Sequence, residues 1–127
     1  APTSTHFTLG ANADCNFTDN YIAFLFASVE GISKVGSYTG STSIVTVTTG
    51  FQPRFVIIKC TSQAKEWVVI DTTRGWGAGT DKELVLNSGN AQVDTDLGAP
   101  TSTGFTVATG LGRVNDNGEN YIYYAHA

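Results

Sequence analysis

Three short runs constrain what this chain can fold into. In "STSIVTVTT" Ile44, Thr46 and Thr48 point one way and Val45 and Val47 the other, while "RFVIIK" and "EWVVID" are equally dense in β-branched and aromatic residues. Side chains alternate across the two faces of a strand, whereas a helix needs an apolar side chain every three or four positions behind a capping residue. Capped stretches of helical period are scarce. The 14 glycines fall mostly between the alternating runs or at their edges, where turns need positive φ. The pattern predicts an all-β fold, an antiparallel β-sandwich of jelly-roll type with about eight or nine short strands.

Composition narrows the function classes. A chain of 127 residues suits one domain. With 41% hydrophobic and 14% charged residues it is no disordered tail, and no run approaches the apolar length of a membrane-spanning helix. A net charge of −4 lacks the basic footprint of a nucleic-acid binder. The chain has no methionine and opens without the charged and apolar regions of a signal peptide, so it reads as a processed piece of something longer. Cys15 and Cys60 share no metal-ligand spacing with each other or with a histidine, and both are expected to be free thiols buried in strands.

The chain also repeats itself. "HFTLGANADCNFTDNYIAFLFA" and "GFTVATGLGRVNDNGENYIYYAHA" share Phe-Thr-aliphatic, a polar Asn/Asp loop, then Tyr-Ile and alternating aromatics, with Tyr21 and Tyr121 in register. Their period is a domain length, which predicts that residues 6–27 are the closing hairpin of one unit and residues 28–127 the whole of the next. The other reading is two hairpins of one sandwich that share an alternation and pack in one core.

Several segments together resemble a known family. "YIAFLFASVEGISKVGSYTG", "GFQPRFVIIK", "DTTRG", "GFTV" and the final "YIYYAHA" are similar to a repeat module of virion structural and tail-fibre-like proteins of tailed bacteriophages, from about Phe7 onward. In that family the module occurs singly or in tandem, and the aromatic strand of one copy runs into the "VEG" segment of the next, the join seen here from Ala27 to Gly31. The sequence departs from the pattern at Ile32 and Val35, where phenylalanine is usual, and at Ser28, where an acidic residue is usual; His126 stands opposite Phe26 of the first copy. The resemblance implies a virion protein, assembled in the reducing host cytoplasm and carrying no disulfide. It supplies a place and not a reaction.

No catalytic constellation is legible. The two histidines, His6 and His126, lie near opposite chain ends, and a hydrolase needs nucleophile, base and orienting group together. The glycines of "RGWGAG" and "GFTVATGLG" lack the strand-loop-helix setting of a phosphate loop and read as turns. Asp71 and Glu119 would form a glycosidase pair only if the fold brought them together. Asp94, Asp96, Asp116 and Glu119 offer hard oxygens but match no full calcium loop. No enzyme activity, cofactor or metal is expected.

Aromatic residues carry what functional signal remains. Trp76, between glycines in a polar connection, either folds back on the sandwich or waits for a partner such as a sugar ring. Arg74 beside it is placed to pair with Asp71, and Asp81 lies in the neighbouring "GAGTDKE" loop; with Trp76 these are the candidate glycan-binding residues. Trp67 reads as core. In "YIYYAHA" Tyr121, Tyr123, Ala125 and Ala127 share one face and Ile122, Tyr124 and His126 the other, so both faces ask for cover. Tyr21, Phe24, Phe26, Tyr123 and Tyr124 are the candidate self-association residues. Two functions follow as expectations: a non-catalytic structural module of a phage appendage or shell, partnered by itself and by other virion proteins, or a host-surface glycan-binding module.

Overall fold

The computed structural model describes residues 3–127. Nine strands form two antiparallel sheets: β1 (Ser33–Thr39), β2 (Val45–Thr48), β3 (Phe55–Cys60), β4 (Trp67–Asp71), β5 (Asp81–Val85), β6 (Val93–Thr95), β7 (Pro100–Thr101), β8 (Gly104–Val107) and β9 (Asn120–His126). The larger sheet has the order β1-β9-β3-β4-β5-β6 and the smaller β2-β8-β7. The fold is all-β, with one 3-10 turn at Thr72–Arg74. Long polar, Gly-rich stretches that read as connections hold strands: β6 and β7 lie within "SGNAQVDTDLGAPTSTG", residues 88–104, and β5 begins inside the "GAGTDKE" segment.

Alternation decides what each strand buries. Val56, Ile58 and Cys60 of β3, Val68 and Ile70 of β4, and Tyr121, Tyr123 and Ala125 of β9 face inward, where they meet Val47, Phe105 and Val107 of the small sheet. β9 lies between β1 and β3 and pairs with both over most of its length. Tyr123 lies on Gly36 of β1, where any added Cβ would meet its ring. Trp67 is corrected from core to surface: it stands one residue out of phase with Val68 and Ile70, on the outer face, and is 41% exposed. Cys60 is buried as expected, but Cys15 is exposed and outside any strand; both are free thiols.

Polar groups close the end of the sandwich where β9 begins. The Tyr38 hydroxyl donates to the Val114 carbonyl at 2.6 Å, and its ring stacks on Tyr121 with centroids 5.1 Å apart. Buried Asn115 accepts the Ser41 amide and donates to the carbonyls of Ser43 and Ala108, so one side chain joins the β1–β2 turn to the β8–β9 connection. Burial pushes the Tyr38, Tyr121 and Tyr123 phenols above their usual range, so all three stay neutral, and Tyr38 and Tyr121 keep the proton that they donate.

The repeat takes an unforeseen form. β8 and β9 do not pair with each other; they lie in opposite sheets, and residues 108–119 cross between them. The closing unit is therefore a crossover and not a hairpin. Residues 3–28 contain no strand: the segment runs outside the body until Val29, which bridges to Ser33 around Gly31, φ +70°. Beyond that bridge the Ser28 hydroxyl takes the Val35 amide at 3.0 Å, and the arm leaves the edge of β1.

Three measurements check this packing. Gly104 of β8 faces β2 so closely that a Cβ there would collide with the Val47 carbonyl, and backbone cannot yield as a flexible side chain can. Gly104→Ala should cost about 2–4 kcal/mol in denaturant unfolding. Native protein should react with a thiol reagent once, at Cys15, and twice after denaturation. Glu83 is fully buried, with the Arg113 guanidinium 3.0 Å from Oε1 and neither carboxylate oxygen in an aligned hydrogen bond among the described residues. Burial pushes its carboxyl above the ordinary 4.5, against the pull of Arg113. The folded state therefore holds this proton more tightly than the unfolded state, and the contribution of Glu83 to stability falls as pH rises from about 4.5 through the raised value. Buried Asp81 is shifted the same way, again by burial first. Glu83→Gln should flatten part of that slope in denaturation curves measured between pH 4 and pH 8, and leave the Asp81 part in place.

Candidate functional site

The outer face of the six-stranded sheet is the one large surface that the small sheet leaves uncovered. Register places Val35 of β1, Ile122 and Tyr124 of β9, Phe55 and Ile57 of β3 and Trp67 of β4 side by side on it. An antiparallel sheet with one wet face would show polar side chains there. Lys59, the lysine among them, turns its ammonium to the carbonyls of Cys60 and Lys65 at 2.7 and 2.8 Å, so its charge is held at the rim.

The N-terminal arm lies across this face without covering it. Phe26 packs on Tyr124 with centroids 4.4 Å apart, and Phe55 meets the same ring edge-on at 6.5 Å. Between arm and sheet lie a depression of about 450 Å³, lined by Phe24, Phe26, Ile57, Trp67, Leu86 and Asn87, and a neighbouring one of about 260 Å³ that reaches Val35 and Ile122. Phe24 is still 79% exposed and Phe26 52%. Such contiguous apolar surface is characteristic of contact sites.

The residues expected to bind a glycan are elsewhere and inside. Trp76 is 3% exposed; its Nε1 donates to the Gly98 carbonyl at 2.9 Å, and its ring meets Phe105 edge-on at 6.0 Å. Of the two roles read for it, the structure has the inward one. Asp81 is fully buried and accepts the amides of Gly77 and Leu97 at 2.9 and 2.7 Å, a brace between two connections and not a ligand contact. Arg74 pairs with Asp71 at 2.5 Å, and Asp71 also caps the 3-10 turn through the Arg74 amide, with its carboxyl held below the ordinary range; burial opposes that shift and the Arg74 bonds outweigh it. These three positions tie down one end of the fold through their bonds to Gly77, Leu97, Gly98 and Asp71.

The self-association residues divide. Tyr21, Phe24, Phe26 and Tyr124 lie on the arm or the outer face. Tyr123 points inward at 5% exposure and belongs to the core, so it is corrected as a contact residue. Sequence reading missed Trp67, Ile57 and Leu86 on the same face, and had Ile122 beside Tyr124 on it. The phase of "EWVVID" against "RFVIIK" carries the signal for Trp67, because residues flanking two inward valines and isoleucines must point out.

Titratable groups do not converge. His6 shares its Nδ1 with the Thr3 and Thr5 hydroxyls, and His126 bonds Tyr124. Asp71 is level with Phe55 and so with His126, seven residues along β9 from Glu119, which puts the two carboxylates roughly 20 Å apart at the rise of a strand, too far for a glycosidase pair. Asp94 pairs with Lys82 at 2.8 Å, Asp116 lies 3.9 Å from Lys65, and Glu119 accepts from Ser62 and Gln63. Among the described residues no three His, Cys, Asp or Glu side chains gather in a metal-holding group.

No curated protein and no solved structure matches the chain. One family model does, over residues 1–127, and its description is a domain of unknown function. The match spans the arm as well as the two sheets, so the chain belongs, over its whole length, to the DUF7483 family.

Proposed function

We propose that this protein is a non-catalytic structural component of a tailed-bacteriophage particle, in a tail fibre, another appendage or the shell, and that it assembles with copies of itself and with other virion proteins. One observation carries the assembly: the middle of the six-stranded sheet, across β1, β9, β3 and β4, bears apolar side chains on its outer face as well as its inner one, and the chain's own arm leaves the outer one open. The resemblance of "YIAFLFASVEGISKVGSYTG" and "YIYYAHA" to the phage module supplies the setting. Phe24, Phe26, Trp67, Leu86, Ile122 and Val35 are each more than two-fifths exposed. Together they present on the order of 600 Å² of apolar surface, close to what one partner gives to a standard-size interface. Each ring that becomes fully covered contributes about 1.5–3 kcal/mol.

A second reading has support from one feature. Trp67 and Asn87 border the larger depression, and an aromatic face beside an amide suits a sugar ring. That relocates glycan recognition from Trp76 to Trp67.

Light scattering on the 127-residue chain tests the first. Oligomers are expected at micromolar concentration, and Phe24→Ser with Trp67→Ser should weaken association at least about tenfold with the β spectrum unchanged. A chain that stays monomeric at about 100 µM, far above the affinity such an area supports, removes the assembly reading. Glycan-array binding lost on Trp67→Ala would establish the second.

A further inference from the structure

The crossover between β8 and β9 is shaped by five hydrogen bonds of its own. The Leu111 carbonyl accepts the amides of Val114 and Asn115 at 2.9 and 2.6 Å. Asn115 Nδ2 donates to the Ala108 carbonyl at 2.9 Å. The Tyr121 hydroxyl donates to the Gly112 carbonyl at 3.1 Å and accepts the Asp116 amide at 2.8 Å.

Residues 10–21 make the same five in the same order. The Asn12 carbonyl accepts the amides of Cys15 and Asn16 at 3.2 and 2.9 Å. Asn16 Nδ2 donates to the Gly10 carbonyl at 2.7 Å. The Tyr21 hydroxyl donates to the Ala13 carbonyl at 3.1 Å and accepts the Phe17 amide at 3.2 Å. The later copy is two residues longer: one more lies between the carbonyl that the asparagine bonds and the turn, and one more between asparagine and tyrosine, in a stretch that turns at Gly118 with φ +81°. Repetition in the sequence is thus repetition of a folded loop.

What differs is the surroundings. Asn115 also accepts the Ser41 amide and donates to the Ser43 carbonyl, and Tyr121 stacks on Tyr38. Phe105 and Val107 before the crossover are fully buried. Their counterparts Phe7 and Leu9 are 41% and 44% exposed, Tyr21 is 47% exposed, and Asn16 Oδ1 has no partner among the described residues. The loop keeps every internal bond while the groups that should face a core stand in water. An element so formed is complete except for the two sheets that it closes.

We infer that residues 7–27 are the β8–crossover–β9 element of a second body of this fold. Phe7–Leu9 would lie in that body's small sheet in the place of β8, and Tyr21–Ala27 would enter its large sheet between the counterparts of β1 and β3. Asn16 would take the host's counterparts of the Ser41 amide and Ser43 carbonyl, and Tyr21 would stack on its Tyr38. The inward positions of the strand read Tyr21, Ala23, Leu25 against Tyr121, Tyr123, Ala125, so large and small are exchanged at the last two. A natural host would therefore fill the space above its Gly36 position differently. The inference stands apart from the assembly reading, which light scattering on the 127-residue chain decides alone.

The test is an extended chain in which residues 28–104 are placed directly before residue 7, so that residues 7–27 follow that frame as residues 105–127 follow their own. A second version carries Ala23→Tyr and Leu25→Ala, which restores the inward order of β9 and removes that mismatch as a cause of failure. Amide exchange at Tyr21–Ala27 should slow by at least about 100-fold relative to the 127-residue chain, and the added body should resist proteolysis. Asn16→Ala with Tyr21→Ala should then unfold the added body and leave the original one intact. An added body that stays unfolded in both versions, or one that folds regardless of Asn16 and Tyr21, overturns the inference.

Discussion

The structure depends on how one crossover is pinned. β8 ends in one sheet and β9 begins in the other, so residues 108–119 must pass over the end of the sandwich, where water and core meet. Buried carbonyls and amides there would each cost on the order of 1–3 kcal/mol if left unpaired. Asn115, Tyr38 and Tyr121 pair them, and they do so with groups from both sides of the passage. Gly40 completes the arrangement: its amide donates to Glu119 and its carbonyl accepts from Gly118, at a point where a side chain would strike the Asp116 carbonyl.

With that end fixed, β9 is held in register between β1 and β3 and presents bulk to both sides. The inner side completes the core with Phe105 and Trp76. The outer side extends the apolar surface that the proposed assembly uses, because a strand with period-two alternation cannot give two large-residue faces and a wet one together. Core and proposed contact surface thus share the same strand.

Strand placement was legible because alternation is local: Val56, Ile58, Val68 and Ile70 declare their own side of the sheet. The end of the β9 segment was readable in the same way, with its two bulky faces. What sequence reading left open or misplaced depends on neighbours that only the fold supplies. Trp76, flanked by glycines, reads both as a side chain folded onto the sandwich and as one held out for a partner, and the Gly98 carbonyl and the Phe105 ring decide for the first. Asp81 reads as a loop carboxylate and is a buried acceptor of two amides. Trp67 reads as core by residue type, whereas its phase against Val68 and Ile70 puts it on the outer face. The repeat was visible as words, but its nature as a crossover was not, since a hairpin and a sheet-to-sheet passage can share one pattern of strand, polar loop and strand.

The position of β9 also sets an order of events. The last strand of the chain is second in the large sheet, and its partners on β1 lie more than 80 residues before it. Ends that distant must be brought together before their hydrogen bonds can offset the lost chain entropy, which places such topologies among the slower folders. During synthesis β1 and β3 emerge before β9, with the slot between them empty, and the sheet closes only once β9 has followed. Until then each chain is a receptor for any strand of the right alternation, including one from another chain.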